Sequence, residues 1–136
     1  MKKRIFCVCL CMVILLSFSG CGYEEENTEK VCDLDFTVLR EEEIPEELAQ
    51  VINEKKSEPF HLTYEDEALY IAVGYGKKDS GGYSIEVQEL YLGKTAICFN
   101  TKLIGPKKSD KVEEASSYPY LVVKTEYREE KVVFED

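Results

Sequence analysis

The chain has no tryptophan and one histidine, His61, among its 136 residues. Basic residues are also scarce, because 17 Lys and Arg stand against 27 Asp and Glu and leave a formal net charge of −10. Nucleic-acid binding needs a surplus of Lys and Arg to neutralise phosphates, so no nucleic-acid partner is expected. One histidine gives no pair for a histidine-rich zinc site and little acid–base chemistry near neutral pH. We therefore expect one modest domain that is not an enzyme and needs no cofactor.

The N-terminal segment 1–20 has the parts of a lipoprotein signal peptide. Met1–Arg4 is basic, Ile5–Leu16 is an apolar run, and small residues directly precede Cys21. As a helix the run would span roughly 20 Å, which is short of the bilayer core of about 30 Å. Small residues before a cysteine resemble the bacterial lipobox, which implies that Cys21 is lipid-modified. We expect an extracytoplasmic protein, lipid-anchored to the bacterial cell membrane; ordinary secretory cleavage and an uncleaved anchor are the alternatives.

Cleavage before Cys21 removes three of the six cysteines and leaves Cys32 and Cys98 beside the lipid-bearing one. An extracytoplasmic compartment permits a disulfide between these two. Cys32 alternates in phase with the apolar residues that follow it, whereas Cys98 is out of phase with its neighbours, which favours two separate small hydrophobic residues. Residues 21–31 are polar and mostly acidic without periodicity, and this composition predicts a flexible spacer between anchor and domain.

Residues 32–136 are predicted to form one α+β domain that is mostly β. We expect a small antiparallel sheet or sandwich of about 6–8 strands with one packed helix. The helix is predicted over Ile44–Lys56, where Leu48, Val51 and Ile52 share one apolar stripe at helical spacing. Alternating apolar patterns between turn-rich segments predict the strands. Their ranges are Leu34–Leu39, Phe60–Tyr64, Ala68–Gly74, Tyr83–Tyr91, Lys94–Leu103, Tyr120–Tyr127 and Val132–Phe134.

The motifs that usually carry catalysis or cofactor binding are weak in this chain. His61 lies in a predicted strand out of phase with its apolar neighbours, which is typical of a solvent-facing or edge histidine. No G-x-S-x-G elbow supports nucleophilic catalysis. The glycines of Gly74–Gly76 and Gly81–Gly82 precede a loop and a strand, whereas a nucleotide-binding fingerprint leads into a helix. We expect no catalytic, cofactor-binding or metal-binding residues.

Two other segments are more informative about binding. Adjacent glycines allow positive φ angles and the close approach of another backbone, and a tyrosine follows them directly. A second tyrosine-rich segment places a proline at a strand start, where its missing N–H does no harm. Tyrosine suits protein interfaces, although these rings would equally suit strand ends packed into the core. The residues expected to contact a partner are Asp79, Ser80, Gly81, Gly82, Tyr83, Tyr118, Pro119 and Tyr120.

Three motifs in order carry a family resemblance. GGYSIEV (Gly81–Val87), YPYLVVK (Tyr118–Lys124) and VVFE (Val132–Glu135) resemble the PrcB C-terminal domain, and the similarity runs from about Leu69 to Phe134. That family is named after the lipoprotein subunit of a bacterial surface protease complex. The resemblance implies a non-catalytic module that binds and stabilises an extracytoplasmic protein, of which a protease is one candidate.

Two alternatives to this adaptor role stay open. The first is a protease inhibitor that inserts the loop Asp79–Tyr83 into an active-site cleft. The second, which we favour less, is an envelope hydrolase that uses His61 or a loop carboxylate.

Overall fold

The computed structural model describes residues 27–136, so the predicted signal peptide, Cys21 and most of the predicted spacer lie outside the described residues. Within this range the chain forms eight strands, one α-helix and a short 3-10 turn at Glu41–Glu43, which confirms the mostly β prediction. The elements are β1 (Lys30–Asp33), β2 (Phe36–Val38), α1 (Glu46–Lys55), β3 (Pro59–Asp66), β4 (Ala68–Tyr75), β5 (Ser84–Gly93), β6 (Ala96–Ile104), β7 (Tyr120–Glu126) and β8 (Lys131–Glu135).

The strands form two four-stranded sheets. Sheet 1 has the order β1-β5-β6-β8, and sheet 2 has the order β2-β7-β4-β3. Neighbouring strands are antiparallel, as predicted, except that β6 and β8 are parallel. The parallel pair arises because β7, which lies between them in the chain, returns through sheet 2 and delivers β8 to sheet 1 in the same direction as β6.

The middle strand β4 is buried on both faces. On one face Ile71 and Val73 pack into the core between the sheets, together with Phe99 of β6. On the other face Tyr70 and Ala72 belong to a second cluster, which the helix covers with Leu48 and Ile52. Burial on both sides explains why β4 is a continuous apolar run rather than an alternating one. The predicted apolar stripe of the helix is confirmed as core at Leu48 and Ile52, whereas Val51 is only half-buried.

The helix α1 is shorter than the predicted range Ile44–Lys56. It begins at Glu46 because Pro45 is the N-cap with an extended backbone, and it ends at Lys55. Acidic residues at its start and Lys55 in its last turn complement the helix dipole. No helix within residues 27–136 is long and apolar enough to cross a membrane.

The N-terminal strand prediction was wrong in one respect. The range Leu34–Leu39 was predicted as one strand, but β1 ends at Asp33 and β2 begins at Phe36. Between them the chain crosses from sheet 1 to sheet 2, where the Leu34 N–H donates to the Leu90 carbonyl at 3.0 Å. The apolar alternation continues through the crossing because both sheets face the same core. β1 starts at Lys30, inside the range 21–31 that the sequence assigned to the spacer.

The two cysteines of the described domain are free, with Cys32 exposed and Cys98 buried. Cys32 pairs with Leu92 of β5, and Cys98 pairs with Tyr91 from the other side of that strand. Two strand spacings separate them by about 10 Å, which exceeds the Cα separation that a disulfide bridges. The prediction that the two cysteines stay separate is confirmed, although only Cys98 is packed as a hydrophobic residue.

The strand directions give the domain two distinct ends. The entry end contains Lys30, where the described chain enters, beside Gly93 and the β5–β6 turn. The loop end contains the β4–β5 and β6–β7 connections, since Gly74 pairs with Tyr120 at that side of sheet 2. The chain therefore enters the domain at the opposite end from these two loops.

Candidate functional site

The two segments predicted to contact a partner meet at the loop end. We call residues 76–83 and 105–120 the two-loop patch. Lys78 and Ser117 exchange backbone hydrogen bonds, with the two N–H···O distances at 2.8 and 3.0 Å. The Gly81 N–H donates to the Glu113 carbonyl at 2.9 Å, and the Ser117 hydroxyl donates to the Ser80 carbonyl at 2.6 Å. The patch thus joins all eight residues named from the sequence in one braced unit.

Only one of the two adjacent glycines, Gly82, has a backbone conformation that requires glycine. Gly82 has a φ of +87°, and a Cβ there would lie 2.5 Å from Cγ1 of Val112 and 3.0 Å from Cβ of Pro106. A Cβ at Gly81 would lie 3.8 Å from the Glu113 side chain, which is an ordinary contact. The sequence predicted positive φ angles and the close approach of another backbone at this pair; the structure shows a positive φ at Gly82 alone, and the atoms close to it belong to the side chains of Val112 and Pro106.

The three tyrosines of the patch are all half-buried. Tyr120 packs against the cluster beneath α1, and this burial raises the pKa of its phenol. The Tyr118 ring lies 5.2 Å from the Lys56 ammonium, a cation–π distance that links the patch to the end of the helix. The packing of Tyr120 fits the interpretation of these rings as strand-end core residues, and the exposed part of each ring leaves contact with a partner as a prediction.

A partly buried polar contact supports the patch from below. The Tyr75 hydroxyl lies 2.7 Å from the Thr101 hydroxyl oxygen, which ties the end of β4 in sheet 2 to β6 in sheet 1. Burial raises the pKa of the Tyr75 phenol, so this group stays a neutral hydrogen-bonding partner. The Tyr75 N–H donates to the Pro119 carbonyl at 3.1 Å. The base of the patch is therefore fixed to the sandwich core.

The rim of the patch carries mixed charge. Its basic residues belong to no ion pair within residues 27–136. The acidic residues are interspersed with them, and Asp110 accepts a hydrogen bond from the Lys107 N–H at 2.8 Å. Unpaired charges of both signs around half-buried tyrosines are typical of the polar rim of a protein-binding surface. The rim residues are Lys77, Lys78, Asp79, Lys107, Lys108, Asp110, Lys111, Glu113 and Glu114.

His61 lies on the edge strand β3, as the sequence predicted, and it borders a separate cleft of about 310 Å³. Its Nε2 lies 2.8 Å from a carboxylate oxygen of Asp136, and its ring stacks on Phe134 at 4.3 Å. No local sequence pattern predicts the Asp136 contact, because the two residues are 75 positions apart in the chain. Among the described residues, those that line this cleft include Thr63 and Glu65 but no Ser or Cys.

The family comparison covers the part of the chain that builds the patch. Residues 69–126 match the family described as PrcB C-terminal, from β4 through β7. The VVFE motif of β8 lies beyond this match. No curated protein and no solved structure matches the chain. The match confirms the resemblance that the GGYSIEV and YPYLVVK motifs indicated, and it covers residues 69–126.

Proposed function

We propose that this protein is an extracytoplasmic lipoprotein, anchored through Cys21, whose β-rich domain binds and stabilises another protein without catalysing a reaction. A secreted or surface protease is the favoured partner, because the family takes its name from a protease-complex subunit. The observation that carries the proposal is the two-loop patch, in which two segments distant in sequence are braced into one surface.

The construction of the patch suits binding. The backbone bonds between Lys78 and Ser117, and the one from Gly81 to Glu113, hold the loops in one conformation before any partner arrives. A preorganised surface loses less conformational entropy on association than a mobile one does. Half-buried tyrosines supply apolar contact area with a polar edge, and the charged rim supplies specificity.

The proposal assigns no catalytic role to His61. Its neighbours in the cleft between β3 and β8 are the Asp136 carboxylate and the Phe134 ring. An acyl-transfer site would also need a nucleophile within hydrogen-bond reach of the imidazole. If the protein were an envelope hydrolase, His61→Ala would abolish an activity that the unaltered chain possesses; we expect no such activity in either protein.

Inhibition of a protease is the second candidate. The observation that favours it is the exposed Gly82 at the tip of a loop whose flanks are braced by Gly81 and Ser80. A loop that keeps one conformation can occupy an active-site cleft without refolding. The residual activity of a captured protease separates the two roles, because a stabiliser preserves activity and an inhibitor removes it.

A pull-down tests the proposed function. The full chain, held in detergent micelles, is the bait for envelope and secreted fractions of the source organism. Asp79→Lys changes an exposed acid in the patch, and Asp66→Lys is the matched change at the entry end. We expect wild type and Asp66→Lys to recover a protease, and Asp79→Lys to recover at least tenfold less. Recovery of no specific protein by wild type would contradict the proposal.

The lipid anchor has a separate test. Cys21→Ser removes the thiol that would carry lipid, so we expect the variant to move from the membrane fraction to the soluble fraction. Cys32→Ser, which changes an exposed thiol in β1, is the control and should stay with the membrane. Equal membrane retention of both variants would contradict anchoring through Cys21.

A further inference from the structure

Strand β1 covers only one end of its neighbour β5. Its register places Lys30 opposite Gly93 and Asp33 opposite Tyr91, and the Leu34 N–H then bonds the Leu90 carbonyl. The rest of β5, Ser84–Glu89, pairs with β6 on one side. Within residues 27–136 no strand pairs with it on the other side. The backbone of Ser84–Glu89 therefore has no strand partner in the described part of the chain on the side away from β6, although β1 covers the rest of β5 on that side. We call this segment the open edge.

Apolar side chains of the facing sheet lie uncovered beside β1. Phe36 and Val38 of β2 pair with Thr125 and Val123 of β7, whose side chains face the core between the sheets. By this register Phe36 and Val38 point toward sheet 1, yet they are 39% and 49% exposed. They stay uncovered because β1 ends at Asp33, before it can extend along the open edge.

We propose that an extended segment of the partner protein adds to sheet 1 as a strand beside Ser84–Glu89, in line with β1. This inference rests on the proposed function, because the partner is the same protein. The added strand satisfies the free backbone groups of β5 over about 20 Å, and its inward side chains cover Phe36 and Val38. The open edge begins directly after Tyr83, so the added strand and the two-loop patch form one continuous surface.

The charges of β5 define the chemistry of the added strand. Glu86 and Glu89 pair with Lys102 and Asn100 of β6 and are exposed on the outer face of sheet 1. Opposite charges on neighbouring strands stabilise a sheet, and like charges destabilise it. The partner segment therefore alternates apolar residues, which point inward, with Lys or Arg, which point outward.

Two other occupants fit less well. A second copy that paired its own open edge with this one would bring the carboxylates of Glu86 and Glu89 from both chains together. The N-terminal segment of the same chain carries Glu24, Glu25 and Glu26, and it enters at the opposite end of β5. The open edge thus favours a basic segment from a different protein.

A synthetic peptide tests the open edge directly. The probe is a peptide of about eight residues that alternates Lys and Val, and the control peptide alternates Glu and Val. The full chain in zwitterionic micelles is mixed with each peptide, and amide hydrogen exchange is followed residue by residue. We expect the Lys–Val peptide to slow exchange at least tenfold at those amides of Ser84–Glu89 that point away from β6. We expect no slowing with the Glu–Val peptide.

Matched variants identify the surface that the peptide uses. Val38→Lys places a charge under the added strand, whereas Val31→Lys changes a β1 side chain that is already 59% exposed and lies outside the open edge. We expect Val38→Lys, and the double change of Glu86 and Glu89 to Lys, to weaken peptide binding at least tenfold. Val31→Lys should bind like wild type. All variants should retain the wild-type circular dichroism spectrum, since each position is exposed.

The outcomes separate this inference from the proposed function. Absence of protection by the Lys–Val peptide, or equal protection by both peptides, overturns strand addition. Protection that grows with protein concentration when no peptide is present assigns the edge to a second copy and also overturns it. If the partner recovered in the pull-down binds Val38→Lys as well as wild type but not Asp79→Lys, the proposed function stands and strand addition fails.

Discussion

At the scale of single residues, Gly82 is the position in the two-loop patch where both the backbone conformation and the neighbouring side chains require glycine. Its φ of +87° lies in the left-handed region that glycine adopts without strain. Its α-carbon also faces Val112 and Pro106 closely enough that no side chain fits. The neighbouring Gly81 has neither constraint. Sequence reasoning treated the two glycines alike, because their difference lies in how the second loop packs on the first.

The first prediction concerns this difference. Gly82→Ala should lower the free energy of unfolding by about 2 kcal/mol, because it adds backbone strain and a contact with Val112. Gly81→Ala should change it by less than about 0.5 kcal/mol, since its new methyl group meets only ordinary contacts. Urea unfolding of both variants, followed by circular dichroism, measures the values. Equal destabilisation by the two substitutions would contradict the close approach assigned to Gly82.

Tyr91 of β5 lies opposite Cys98 of β6, and the effect of the thiol on the pKa of Tyr91 can be measured. A hydrogen bond with the Cys98 thiol, aided by desolvation, raises the pKa of Tyr91 to about 12. Because the folded pKa lies above the usual value of about 10, the stabilisation is present below pH 10 and is lost as the pH rises from 10 to 12. We expect Cys98→Ala to lower the pKa of Tyr91 toward 10. Phenolate absorbance, with Tyr91→Phe used to identify the signal, measures this pKa.

The burial of Cys98 shows how far strand parity alone predicts the surroundings of a residue. Strand parity alone placed Cys98 out of phase with Ile97 and Phe99, which pack into the core. The structure shows that Cys98 is buried nonetheless. Parity predicted the face on which Cys98 lies, but its burial depends on neighbouring strands. If Tyr91 titrates alike with and without the thiol, the hydrogen bond does not form.

At the scale of elements, helix α1 is the part that sequence periodicity predicted best. Leu48 and Ile52 are four residues apart, so they lie on one face, and both are buried against sheet 2. The strands from β3 to β7 also follow their predicted ranges to within a few residues. Local patterns suffice for these elements because each presents a face to the core that matches its own period.

Two features that the sequence did not predict, the division of the N-terminal strand into β1 and β2 and the parallel pairing of β6 with β8, depend on the topology of the sheets. Nothing in the alternation around Leu34 distinguishes one strand from two strands that turn from sheet to sheet, because the inward face is the same. The parallel pairing of β6 with β8 depends on the route of β7 through the other sheet. Pairings of this kind are long-range, and a single sequence contains no local signal for them.

The third prediction tests the packing of α1. Ile52→Ala removes a side chain that is almost fully buried between the helix and sheet 2, and it should cost about 3 kcal/mol. Gln50→Ala on the exposed side of the same helix should change stability by less than about 0.5 kcal/mol. Thermal and urea unfolding report both values. A cost below about 1 kcal/mol for Ile52→Ala would mean that α1 contributes little to the core.

At the scale of the whole molecule, the positions of the entry end and the loop end matter for function. β5 runs from the two-loop patch to Gly93 beside Lys30, a length of about 30 Å. Both ends carry charges of both signs: Lys30 and Lys94 lie at the entry end together with acidic residues such as Asp66, and the rim of the patch mixes lysines with acids. If Cys21 carries lipid, the anchored segment joins the domain at the entry end, so we expect the patch to face away from the membrane.

The site itself was predictable only in part at this scale. The sequence named both segments of the patch from their glycines, tyrosines and family motifs, and it named no contact between them. Their meeting follows from β4 and β7 being neighbours in sheet 2. The open edge of β5 had no sequence signal, because it results from the lengths of two paired strands, β1 and β5, rather than from any residue along β5.

The fourth prediction tests this orientation. In a Cys32→Ser background, a donor dye is attached to a cysteine placed at Asp66 or at Lys108, and the lipid-anchored protein is reconstituted into vesicles with acceptor-labelled headgroups. Energy transfer should be higher from position 66, because the chain between Cys21 and Lys30 reaches at most about 30 Å when extended and β5 separates the two ends by a similar length. Equal transfer would contradict this orientation. Reversed transfer would mean that the two-loop patch faces the membrane, and a partner in solution would then be the wrong class of ligand for it.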